Sequence, residues 1–211
     1  MRKIAKGPEP ASLTRHRQTD NADYENYRDK ETLRLFLVAE QRGLCCYCLR
    51  RIRPEITEMK IAHCLSQHNH PDEQLSYANL LGACKGNEGQ KPAAQHCDTK
   101  QGSADLSRNP ADPIRDIERT IRFEGDGTIT ASDPAFDKEL NDVLNLNLKY
   151  LQNNRKAVLD AFKETLNRKG DIGRRTLEKW LRDWNGELHN GELQPYCQVV
   201  VFWLRKRLAR A

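Results

Sequence analysis

Long hydrophobic runs are missing from this chain. The longest apolar stretch, Val199 to Leu204, falls far short of the about 20 residues a helix needs to cross a bilayer, which excludes a membrane-spanning helix. No apolar segment follows the basic start Met1-Arg2-Lys3-Ile4-Ala5-Lys6-Gly7-Pro8, so no secretory signal is expected and the chain reads as cytoplasmic, with no membrane partner. Aromatic residues make up only 7% and hydrophobic residues 37%, so any core must be economical. Neither sign of charge dominates: 35 Lys and Arg stand against 30 Asp and Glu, a net charge of +5 that suits a polyanionic partner without demanding one. There is no internal repeat and no low-complexity tract, which sets aside solenoids. With 211 residues the chain is one medium domain or two small ones.

Cysteine, by contrast, is plentiful, with seven residues. In a reducing compartment these read as metal ligands or buried thiols rather than disulfides. Four are spaced as two distant pairs around His63. Cys45 and Cys48 stand in Leu44-Cys45-Cys46-Tyr47-Cys48-Leu49, and Cys84 and Cys97 form the second pair. A two-residue gap lets both sulfurs of the first pair face one point. Two separated knuckles then supply the four ligands of a tetrahedral structural zinc. The fourth ligand is Cys97 or His96; Cys97 is preferred because Asp98 then has a separate job. Cys46, Cys64 and Cys197 are expected to be small buried hydrophobes.

Along the chain, residues 1–22 are polar and without clear period, and are expected to form an extended arm. Leu33, Phe36 and Leu37 form an apolar stripe in a helix from about Asp29 to Arg42, stopped by Gly43. A short extended stretch, Glu58 to Ile61, leads into His63, and Ser66 to Gln74 reads as a surface loop. Asn79-Leu80-Leu81 is expected to begin a short helix breaking near Gly86. Asn109-Pro110-Ala111-Asp112-Pro113 marks a boundary. Beyond it, Gly125-Asp126-Gly127 signals a hairpin between residues 120–123 and 128–130. The remainder is helical in pattern, with helices around Leu140–Phe162 and Trp180–Trp184 and a last one opened near Pro195. The expected class is α+β, with an N-terminal arm over 1–22, a zinc-bearing unit over 23–115 and a mostly helical region over 116–211.

His63 gains interest from its place after an extended stretch and between the two knuckles. Phosphodiester hydrolysis needs a base to activate water and a cation to stabilise the added negative charge. A neutral imidazole is the natural base at cellular pH. A hard ion such as Mg²⁺ or Mn²⁺ prefers oxygen ligands, and Asp98 is the carboxylate adjoining the second knuckle. Asn79 either orients the His63 ring or caps a following helix. The basic end Arg205-Lys206-Arg207 with Arg210 either complements a helix dipole or contacts phosphates.

These residues resemble the HNH (ββα-metal) nucleases, whose pattern N-L-x-x-x-C-x-x-C-H-x-x-K looks like Asn79-Leu80-Leu81-Gly82-Ala83-Cys84, an insertion, then Cys97-Asp98-Thr99-Lys100. Lys6-Gly7-Pro8-Glu9-Pro10, Glu40-Gln41-Arg42-Gly43-Leu44-Cys45-Cys46-Tyr47-Cys48, His96-Cys97-Asp98 and Leu144-Asn145-Leu146-Asn147 narrow the resemblance to the PtuB-type branch of Septu and retron antiphage systems. The resemblance implies a zinc-stapled ββα-metal core with a helical C-terminal region. It casts His63 as general base, Asn79 as orienting residue, Asp98 in the place of the final His and as ligand of the catalytic divalent ion, and His96 as a second-rank site residue. Ala62 stands where many relatives carry a metal-holding residue, so the ion is expected to have fewer protein ligands. The resemblance further implies abortive antiviral defence with a PtuA-like ABC/SMC ATPase, joined in the retron version by a reverse transcriptase and its multicopy single-stranded DNA. The alternatives are the same nuclease cutting RNA such as host tRNA, and a non-catalytic zinc-stapled module that binds nucleic acid or the ATPase.

Overall fold

The computed structural model describes residues 1–170 and 172–210. Its first departure from the sequence reading is at the N-terminus. Met1 and Ile4 are buried, and the Ile4 amide donates to the Pro110 carbonyl at 2.9 Å. A helix, α1 (Ala11–Arg17), follows Pro10 in place of the expected extended arm. Leu13 is its one buried residue, and a single anchor in seven positions leaves no period to read.

The next helix, α2 (Lys30–Glu40), runs where the apolar stripe predicted it, with the Asp29 side chain accepting from the Thr32 amide. Leu33 and Leu37 are buried beside Leu13, Tyr27, Leu75, Tyr77 and Leu80, whereas Phe36 turns outward. Gly43, at φ +76°, then turns the chain sharply, a conformation that a Cβ would strain.

Two strands, β1 (Met59–His63) and β2 (Leu80–Cys84), pair antiparallel, with Met59 opposite Cys84 and His63 opposite Leu80. The expected helix at Asn79–Leu81 is therefore corrected to a strand. All five residues of β2 are buried, Leu80 in the cluster under α2 and Leu81 in the larger core. A short apolar run buried on both faces carries no alternation to separate strand from helix. Gln41 holds α2 to this strand: its side chain accepts from the Gly82 amide at 2.6 Å and donates to the Gly82 carbonyl at 2.7 Å. A short helix, α3 (Cys97–Gln101), packs against both strands.

The hairpin forms as expected from β3 (Ile121–Phe123) and β4 (Ile129–Ala131). It leads through α4 (Pro134–Lys138) and a π-helical turn, Glu139–Val143, to α5 (Lys149–Arg168), α6 (Arg174–Trp184) and α7 (Cys197–Leu208). Pro195 lies two residues ahead of the last helix, and Tyr196 enters it with φ +59°. Among the described residues the chain is thus a mixed α+β protein of seven α-helices and two small antiparallel sheets. One large core takes in Met1, the knuckle cysteines, Met59, Leu81 and the inner faces of α5 and α7. Among the described residues no helix is long and apolar enough to cross a membrane.

Candidate functional site

Cys45 and Cys48 lie on a tight turn in which Leu49 adopts φ +65° and donates its amide to the Cys45 carbonyl at 3.1 Å. Cys84 ends β2, and Cys97 opens α3. All four are buried, and their sulfurs lie within 4.8 Å of one another. The Cys45–Cys97 and Cys48–Cys84 separations are 3.9 and 3.7 Å. A zinc tetrahedron with Zn–S bonds of about 2.3 Å has edges of about 3.8 Å, so the set fits zinc.

The surroundings suit thiolates. The Cys84 amide donates to Cys45 Sγ at 3.3 Å, and His96 Nδ1 lies 3.1 Å from Cys97 Sγ. Tyr150 hydrogen-bonds the other ring nitrogen of His96; with Cys97 as a thiolate, which can only accept, Nδ1–H would donate to sulfur and the Tyr150 hydroxyl to Nε2. In this arrangement Cys97, and not His96, is grouped with the other three sulfurs, and the His96 ring lies against Cys97 Sγ. Arg155 is buried without a carboxylate partner among the described residues. It donates to the carbonyls of Gly127 and Leu146, and burial draws its pKa down to about 10 against the opposing pull of Cys48. Four thiolates around a Zn²⁺ would carry two net negative charges, which this guanidinium would help to balance. Burial pushes the Cys46 thiol well up and that of Cys64 up to about 12, and Cys197 is likewise raised, which fits inert core thiols.

His63 is the last residue of β1 and only 6% exposed. Its Nε2 lies 3.0 Å from the Gln74 carbonyl, an acceptor only, so Nε2 carries the proton and donates. Nδ1 is then the acceptor nitrogen, 3.3 Å from the Gln67 side-chain amide. The Tyr24 ring stands edge-on at 4.7 Å. Burial, more than the nearby charge of Lys30, pulls the imidazole pKa below its ordinary value. The ring is therefore neutral at cellular pH, with its tautomer set.

Asn79 caps no helix, and among the described residues it makes no hydrogen bond to the His63 ring. Its side chain accepts from the Leu65 amide at 2.8 Å and donates to the carbonyls of Leu65 and Glu73 at 2.9 and 3.1 Å. It thereby clamps the 64–79 loop, whose Gln74 carbonyl orients the imidazole. Asn79 is a positioning residue that acts through the backbone.

Asp98 is placed elsewhere. Its carboxylate pairs with Lys60 at 3.5 Å, beside the Lys60–Glu88 pair at 3.1 Å, and burial raises its pKa against the pull of Lys60. Residues 60 and 63 alternate to opposite faces of β1, and Asp98 is paired with the first of them. Among the described residues no hydrogen bond or ion pair joins Asp98 to His63. Tyr24 is the group they share, since its phenol is raised by burial and then by the Asp98 charge. One carboxylate already matched by an ammonium does not fit a hard divalent ion beside His63. The cysteine tetrad is the metal-sized cluster of such side chains found among the described residues.

Tyr24, Gln67, Gln74, Lys60, Tyr150 and Arg155 escaped the sequence reading. Lys60 had a readable signal, its odd spacing from His63 on a strand. The others come from remote segments and carried none. No protein-family model matches this chain, and no curated protein matches it.

Proposed function

We propose that this chain is an HNH-type nuclease that hydrolyses phosphodiester bonds of nucleic acid, with His63 as general base on a ββα scaffold stapled by zinc. The observation that carries the reading is the seating of His63: a neutral imidazole at the end of β1, its Nε2–H committed to the Gln74 carbonyl and its Nδ1 held by one side-chain amide. When Gln67 swings aside, Nδ1 takes a proton from a water attacking phosphorus, and the leaving oxygen is expelled with a proton from solvent. The low pKa of the buried ring favours return of the proton afterwards, which resets the base. The divalent ion implied by the resemblance belongs to this proposal as a requirement to be measured. Asp98 as folded does not supply its site beside His63, and no step is routed through it.

The sequence resemblance supports a role as effector of an antiphage system with a PtuA-like ABC/SMC ATPase, and with reverse transcriptase and multicopy single-stranded DNA in a retron setting. The C-terminal region is the proposed ATPase platform, with Trp180 and Trp184 as aromatic anchors along an open groove of about 670 Å³ between α5 and α6.

The test incubates wild-type and His63→Ala protein with plasmid, single-stranded DNA and tRNA, with Mg²⁺, with Mn²⁺ and without either, alone and with the ATPase of its own operon. Wild type should cut, and His63→Ala should lose about 10²- to 10⁴-fold in rate. A soluble His63→Ala protein cutting at the wild-type rate sinks the assignment. The second reading, a zinc-stapled binding module, is favoured by the closure of both His63 ring nitrogens inside the fold. It requires binding without cleavage under every one of these conditions.

A further inference from the structure

We infer that a cleft between α6 and α7, away from the zinc and His63, binds the sugar–phosphate backbone of single-stranded nucleic acid. The cleft has a volume of about 560 Å³ and is lined by Ile172, Arg174, Leu177, Trp203, Lys206, Arg207 and Arg210. Its floor is apolar, made by Leu177, Ile172 and the partly buried Trp203. Its rim carries four cations, and among the described residues no carboxylate lines it.

Arg174 is held at the mouth by Glu178 at 2.9 Å and by the Leu208 carbonyl at 3.4 Å. Lys206, Arg207 and Arg210 are exposed and make no ion pair among the described residues, and the Arg207 guanidinium lies 5.5 Å over the Trp203 ring. The dipole of α7 accounts for cations in its last turn. It does not account for a guanidinium brought to the same cleft from the opening residue of α6, the end at which a helix disfavours positive charge. A cationic rim over an apolar, aromatic floor matches what an unpaired strand offers: phosphates to the rim and a base face to the floor. An acidic protein segment would meet the rim but leave that floor unused. The site is read by binding, so it stands apart from the assignment of His63 as a base.

The test uses full-length zinc-loaded His63→Ala protein, which removes cutting, and a fluorescein-labelled 30-mer of thymidylate in anisotropy titrations from 50 to 200 mM NaCl. Adding Lys206→Gln, Arg207→Gln and Arg210→Gln together should weaken binding at least tenfold at 50 mM salt. It should also lower the slope of log affinity against log salt by about 2, three lost contacts at about 0.7 each. An equal charge loss outside the cleft, Arg122→Gln with Lys138→Gln and Lys163→Gln, should change affinity less than twofold. Equal losses in both triple variants reduce the effect to net charge and overturn the site, as does an unchanged slope in the cleft variant. Polyglutamate of matched charge competing as well as the oligonucleotide overturns the nucleic-acid assignment in favour of an acidic protein. Cleavage assays on His63 neither rescue nor damage any of these outcomes.

Discussion

His63 shows how far a single side chain is governed by its surroundings. Burial depresses its pKa, so between the folded value and the unfolded value near 6.5 the unfolded chain binds more protons. Stability from this group is complete above about pH 6.5 and is lost as pH falls below it. The acidic limb of a kcat/KM profile should accordingly lie below 6.5, and a midpoint at or above 7 contradicts the buried neutral ring. Lys60 offers a second test at this scale. Replacing it with Met leaves the partly buried Asp98 carboxylate without its cation, a loss of about 1 kcal/mol in denaturant unfolding. If Asp98 instead serves a divalent ion, Lys60→Met should be stabilised by added Mg²⁺ more than wild type is. The position of His63 was legible from its neighbours in sequence, but its partners Gln67, Gln74 and Tyr24 were not. A hydrogen bond to a carbonyl eleven residues away depends on how a loop folds back, and no residue type announces that.

Among the elements, legibility followed the strength of the local signal. The β3–β4 hairpin was readable because Gly125-Asp126-Gly127 is needed for its turn, and Gly127 is at φ +88° with the Gln152 carbonyl 2.1 Å from where a Cβ would stand. β2 was read as a helix because both of its faces are buried and its alternation is lost. α1 was missed because only Leu13 anchors it. That anchor makes a prediction: Leu13→Ala removes a fully buried side chain from the cluster under α2 and should cost about 2–5 kcal/mol. Hydrogen exchange should show residues 8–28 losing protection first, while β1 and β2 keep theirs. Uniform loss across the chain would mean that α1 is part of the global folding unit.

At the scale of the whole molecule, the cysteine cluster brings together the knuckle, the end of β2 and the start of α3, segments also joined by the Cys46 amide to the Gly82 carbonyl and the Tyr47 hydroxyl to Gln101; a zinc bound there would close the three into one unit. Binding at structural four-cysteine sites is worth about 10–16 kcal/mol and becomes folding energy. Purified protein should contain one equivalent of zinc. Cys48→Ser or Cys84→Ser should give insoluble or unfolded protein, and stoichiometric absence of zinc from folded protein would end the structural-metal reading. Chelation should also loosen the C-terminal helices, because Tyr150 of α5 behind His96 and the Leu144 carbonyl that accepts from the Cys97 amide tie that region to the cluster.

The residue pattern alone pointed to Cys45, Cys48 and Cys84 as a candidate metal set and left Cys97 and His96 as alternatives for the fourth place; the fold groups Cys97 with the other three. It also pointed to the hairpin and to the helices of the C-terminal half, although Glu139–Val143 forms a π-helical turn and residues 144–148 a non-helical link ahead of α5 in place of one helix from Leu140. Only the tertiary structure decided that the His96 ring lies against Cys97 Sγ, that the Asn79 side chain bonds the 64–79 loop backbone, and that Asp98 pairs with Lys60. Those roles depend on which face of a strand or helix a side chain occupies and on what comes to meet it from distant segments. Local propensity does not encode that; packing selects it.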